Sequence, residues 1–107
     1  MTTAIIYSQR LQGKTAEELR EAVRETTEMW TETLELSERQ AERMEEKIYE
    51  FAQKKNQLIY SKMREEAKIK RLRSLQRMEN SEIAKILSRA QYEKYLALSQ
   101  KRIKRQK

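Results

Sequence analysis

Leu36-Ser37-Glu38-Arg39-Gln40 and Leu87-Ser88-Arg89-Ala90-Gln91 are one phrase, L-S-x-x-Q, written twice in a single chain. In each copy serine stands where a helix N-cap would, and glutamine follows three positions later. The serine oxygen can accept from the backbone N–H of that glutamine, and the glutamine side chain can reach back to the serine N–H, which is a capping box. The leucine before each cap can staple onto the fourth helical residue, strongly for Leu87 with Tyr92 and weakly for Leu36 with Ala41. Either copy alone reads as an ordinary helix start. Two copies in 107 residues make the relation between them the question on which the fold turns.

The rest of the composition points to helices. Apolar residues make up 37% and charged residues 38%, with one Gly, no Pro and no Cys. That mixture belongs to long amphipathic helices, and strand-forming runs are absent. A chain this small with this little apolar content is expected to form one domain with a thin helical layer, completed by a second copy or by a client. Without cysteine there is no disulfide, and without histidine the usual acid–base and soft-metal ligands are missing. No apolar run, Ala4-Ile5-Ile6-Tyr7 included, is long enough to span a membrane.

Residues 1–14 lack periodicity and hold the single glycine, Gly13, so they read as an arm. Thr15 with Glu18 forms a third capping box and opens the first helix, with an apolar stripe at Leu19, Val23, Met29, Trp30 and Leu34. Trp30 is expected to anchor a helix–helix seam. The second helix starts at Ser37 and carries Ala41, Met44, Ile48, Phe51, Leu58 and Ile59, a heptad-like seam interrupted by Lys55. The seam lapses near residue 63 and resumes at Ile69, Leu72, Leu75 and Met78, then Ile83, Ile86 and Leu87. A short helix from Ser88 precedes a basic tail, 101–107. The helical domain therefore spans 15–100.

One helix from Ser37 to Ile86 would be roughly 75 Å long, and no Gly or Pro forbids it. The lapse near residue 63, however, lies almost midway between the two serines. A turn there yields two arms of equal length and brings the two phrases together. The predicted architecture is an all-α, elongated helical hairpin with a short helix at each end. A straight rod pairing with a second chain is the alternative.

The two phrases resemble the LTxxQ repeats of the Spy and CpxP family of periplasmic envelope-stress proteins, with Ser in place of Thr in both. Residues 34–40 match the first repeat and 82–95 resemble the second, with Arg89 where proline often follows; the likeness covers about residues 15–98. It implies a cradle-shaped antiparallel homodimer that binds unfolded proteins without ATP or monitors envelope stress. It also implies export, and the stretch ending Ile6-Tyr7-Ser8-Gln9 resembles the end of a signal peptide. A periplasmic location is the expectation, and a cytoplasmic one follows if Met1 is the native start. Some relatives handle metals, but the histidines that would be carried over are absent, so no metal site is assigned.

Charge is segregated along the chain. Residues 1–50 hold 7 basic and 12 acidic residues, and residues 51–107 hold 17 and 5. In a hairpin this sets an acidic outgoing arm against a basic returning arm, an attraction that salt would screen. Surplus positive charge beside adaptable methionines would draw acidic, partly unfolded chains and hold them loosely. Leu36, Ser37, Gln40, Leu87, Ser88 and Gln91 are expected to serve architecture. Client contacts are expected from the exposed members of Phe51, Leu58, Ile59, Met63, Ile69 and Leu72 with Lys55, Lys62, Lys70 and Arg73. No enzyme activity, cofactor or small-molecule substrate is expected, since a thin helical layer has little room for a water-excluding pocket. The competing function is a coiled-coil interaction module with one fixed partner. A nucleic-acid binder ranks below both, because no reading motif is present and five acids interrupt the basic half.

Overall fold

The first helix begins as its residues dictate. In this computed structural model, which describes residues 15–104 and side chains through Ser99, the Thr15 hydroxyl accepts from Glu18 N at 3.2 Å and the Glu18 carboxylate accepts from Thr15 N at 3.0 Å. Helix α1 then runs Ala16–Leu34 and buries Leu19, Val23, Thr27, Trp30 and Leu34, a stripe spaced by three and four residues. Thr27 is buried at little polar cost because its hydroxyl donates to Val23 O at 2.8 Å. The helix ends where Glu35 turns into the left-handed region at φ 53°, ψ 56°. Leu36 N donates to Thr31 O at 3.0 Å, closing the last turn.

Three further helices follow among the described residues, with no strand: α2 (Glu38–Ile59), α3 (Glu65–Ile86) and α4 (Arg89–Lys104). Helix α2 buries Met44, Ile48, Phe51, Ala52 and Lys55 on one face. The chain reverses through residues 60–64, and α3 returns along α2. Three contacts fix that course. Lys68 Nζ donates to Ile59 O beside the turn, Lys55 meets Glu79 farther along, and Gln40 reaches Ile86 O at the far end. Helix α1 lies on α2 as well, with the Arg20 guanidinium 4.6 Å from the centre of the Tyr49 ring.

The core gathers at the end of the molecule away from residues 60–64. Leu19, Val23, Trp30, Leu34, Met44, Ile48, Ala52, Ile83, Ile86, Leu87 and Tyr95 form one buried cluster. Trp30 occupies the seam expected of it, its ring 4.7 Å from that of Tyr95 on α4. Met44 and Ile83 are wholly enclosed. In α3, by contrast, the buried residues are Glu79, Ile83 and Ile86, all in its second half. The result is a compact all-α fold with extents of 39 × 31 × 22 Å. Helix α4 continues to Lys104, into the stretch expected as a tail. The arm and signal-peptide remnant expected over 1–14, and residues 105–107, lie outside the described residues.

Two expectations about charge are corrected. The ion pairs that join α2 to α3, Lys55–Glu79 at 2.6 Å and Lys47–Glu82 at 3.6 Å, take lysine from the outgoing arm and glutamate from the returning one. This is the reverse of the polarity read from the bulk charge of each half, because the facing positions hold minority charges. The reading of Lys55 as a lapse in the seam is also corrected. Lys55 stays in the seam, 7% exposed, with its ammonium partnered.

Candidate functional site

The two L-S-x-x-Q phrases lie side by side and complete one another. Ser37 accepts from Gln40 N at 3.2 Å while Gln40 Oε1 accepts from Ser37 N at 3.0 Å. Ser88 and Gln91 repeat this at 3.2 and 2.8 Å. Each glutamine then spends its amide N–H groups across the junction. Gln40 Nε2 donates to Ile86 O, the last carbonyl of α3, at 3.1 Å, and Gln91 Nε2 donates to Leu34 O, the last carbonyl of α1, at 3.1 Å. Between them, Gln40 Nε2 donates to Gln91 Oε1 at 2.9 Å, and Gln91 Nε2 approaches Gln40 Oε1 at 3.5 Å. Two helix starts and two helix ends are thus satisfied by two side chains.

This arrangement explains why both positions hold glutamine rather than glutamate. An isolated capping box accepts either. Here the side chain must accept from its own cap N–H and also donate to a distant carbonyl, which a carboxylate cannot do. The amide orientations follow from that requirement, with each oxygen on an N–H and each nitrogen on a C=O. The leucines sit just inside: Leu87 is buried and Leu36 is half-buried against the core. Nothing in the phrase taken singly signals this exchange. The presence of glutamine in both copies was the available clue.

Between the last third of α2 and the second half of α3 lies a partly buried polar chain. Lys55 Nζ donates to Glu79 Oε1 at 2.6 Å and to Gln76 Oε1 at 2.8 Å. Gln76 Nε2 donates to Asn80 Oδ1 at 3.0 Å, which also accepts from Tyr95 Oη at 3.3 Å. Burial pushes the Glu79 carboxyl above the usual carboxylate range, and the Lys55 ammonium opposes that rise. Sequence reading missed Glu79, Gln76 and Asn80, since each is unremarkable at its helical position.

The residues expected to touch clients divide by depth. Phe51 and Lys55 are buried and so do not belong to an accessible face. Leu58, Ile59 and Leu72 are half-buried, and Lys62, Met63, Ile69, Lys70 and Arg73 are exposed. Among large apolar residues the structure leaves Tyr60 57%, Met63 38%, Ile69 47% and Met78 50% exposed. An open groove between α2 and α3 is lined by Lys54, Gln57, Leu58, Arg71, Leu75 and Met78. Arg71 in this groove, and Lys62, Arg64, Lys70, Arg73 and Arg77 elsewhere on the turn and α3, have no acidic partner among the described residues. The described residues contain no group of acids that could hold a metal ion, and among them no helix is long and apolar enough to cross a membrane.

No protein-family model, no curated protein and no solved structure matches this chain.

Proposed function

We propose that this protein captures unfolded or partly folded proteins reversibly and without ATP, as a chaperone-like or stress-response component of the bacterial cell envelope. The observation that carries the reading is apolar exposure beside unpaired cations on both sides of α3: Ile69 with Lys70 and Arg73 on one, Met78 with Arg71 in the groove on the other. Cations at such a surface attract acidic segments over long range, and thioether and branched side chains then give loose, adaptable contacts. The L-S-x-x-Q pairing supports a kinship in architecture with the Spy and CpxP family. On that reading two copies pair antiparallel into a cradle whose hollow is lined by α2 and α3.

The test is light scattering of several unrelated denatured proteins with substoichiometric amounts of this chain and no nucleotide. Protection of all of them is the expected result, reduced in Met63→Ser/Ile69→Ser. Absence of protection, alongside tight binding to a single protein, would instead establish a fixed-partner helical module. Sedimentation at several concentrations checks the dimer.

A further inference from the structure

Net charge is distributed in space as well as along the chain. Residues 15–50, which form α1 and the first half of α2, hold five basic and twelve acidic side chains. Residues 54–77, which form the end of α2, the turn and the first half of α3, hold nine basic and two acidic ones. The remaining side chains described, 78–99, balance at three and three. Leu36 ties the end of α1 to the start of α2, and Arg20 lies on Tyr49, so α1 leaves the turn-side end of α2 uncovered. Among the described side chains, α1 and the first half of α2 are therefore acidic and the tip is strongly basic, while the chain outside the tip, both termini included, carries no net charge.

Six of the tip's nine cations are unspent. Lys54, Lys55 and Lys68 have glutamate partners, whereas Lys62, Arg64, Lys70, Arg71, Arg73 and Arg77 have none among the described residues. Large apolar side chains stand in water among them: Tyr60 on the turn, Met63 just after it, and Ile69 one turn into α3. Small folded proteins seldom leave such residues clustered and exposed without a use.

We infer that the α2–α3 turn docks on an anionic lipid bilayer surface, with Tyr60, Met63 and Ile69 entering the interfacial layer and the surrounding lysines and arginines meeting lipid phosphates. Two features select a bilayer over other polyanions. Tyrosine with methionine and isoleucine matches the interfacial layer, where an aromatic ring with a polar tip and apolar chains are both accommodated. A nucleic-acid backbone would neutralise the cations but give the apolar side chains no burial. This inference goes beyond client capture and does not depend on it, because vesicle binding is read without client and aggregation without lipid.

The experiment is co-sedimentation of the full chain with vesicles of phosphatidylcholine alone and of phosphatidylcholine mixed with phosphatidylglycerol, at low and high salt. Binding to the mixed vesicles alone, released by salt, is the expected result. Each basic side chain near such a surface multiplies affinity about fivefold. Lys62→Gln/Lys70→Gln/Arg73→Gln should therefore weaken binding on the order of a hundredfold. Met63→Ser/Ile69→Ser should weaken it about tenfold through lost apolar burial, with helix content by circular dichroism unchanged. Arg89→Gln, at the opposite end, should bind as the parent does. Equal binding to neutral vesicles, or none to anionic ones, would overturn the inference. So would indifference to the apolar pair together with equal competition by duplex DNA, since the tip would then be a plain polyanion contact.

Discussion

The two ends of the α2–α3 pair are built on opposite principles. At one end Gln40 and Gln91 exchange hydrogen bonds, Leu34, Ile86 and Leu87 are buried, and every capping group has a partner. At the other, Arg64 takes the N-cap position of α3 without a side-chain cap, and apolar and cationic side chains stand in solvent. The core is concentrated where the chain closes, and the turn is held by local hydrogen bonds, from Ser61 Oγ to Leu58 O and from Lys68 Nζ to Ile59 O. Lys55–Glu79 marks the border between the two regimes. Native-state hydrogen exchange should reflect this, with amides of 62–70 opening well before those of 40–52 and 80–92.

The largest effect should come from the border. Lys55→Met alone leaves the Glu79 carboxylate buried without its cation and should cost about 3 kcal/mol in a denaturant titration. Lys55→Met/Glu79→Leu should recover the parent's stability or exceed it, because an apolar pair avoids the desolvation of both charges. If the double variant is as unstable as the single one, the ion pair holds the two regimes together by more than charge compensation.

At the closed end, Gln40→Glu separates a reciprocal junction from two independent caps. An ordinary capping box would tolerate it. Here Ile86 O loses its side-chain donor and Gln91 Oε1 loses one of its two, and a loss of about 2 kcal/mol is expected. Gln40→Glu/Gln91→Glu should cost more than the sum of its parts, since two carboxylates then face each other.

Smaller changes sharpen the contrast in the other direction. Arg64→Asp supplies the missing cap at the open end and should stabilise α3 by about 0.5–1 kcal/mol, raising protection of 65–68. Glu35→Gly relieves the left-handed conformation after α1 and should add about 0.5 kcal/mol, net of the flexibility glycine gives the unfolded chain.

The smallest effect concerns pH. Glu79's carboxyl lies above its ordinary value in the folded chain, so its contribution to stability is complete below the usual carboxylate range. That contribution is lost as pH rises through the raised value. The stability advantage of the parent over Glu79→Gln should accordingly shrink from acid toward neutral pH. Glu50 and Glu82, held below the ordinary range by hydrogen bonds from Lys47 and Lys54 and from Lys85 and Lys47, should act in the opposite sense. Their exposure keeps that effect near the limit of measurement.

How much of this was legible in the residues follows from the range of the interactions. Caps at Thr15, Ser37 and Ser88 were readable, because a capping box is complete within four residues of sequence. Trp30 as a seam anchor was readable from helical spacing. The partners of Gln40 and Lys55 were not, because they depend on which side chains 51 and 24 positions away arrive opposite them. Bulk charge misled for the same reason. It describes an arm's average, whereas an ion pair depends on one facing position, as Lys47 with Glu82 illustrates. Phe51, read as a candidate surface residue, is buried for want of any sequence signal marking which side of a broad apolar stripe α1 and α3 cover.

Helices α2 and α3 each have 22 residues, and the glutamine exchange turns that equality into a gauge. One residue inserted into either helix would swing its far end by about 100° and carry one amide out of reach. Inserting about seven residues, two full turns, into both at matching levels would lengthen the molecule and let the amides meet again. The clasp would thus let the span between body and tip change in paired steps while refusing any change made on one side alone.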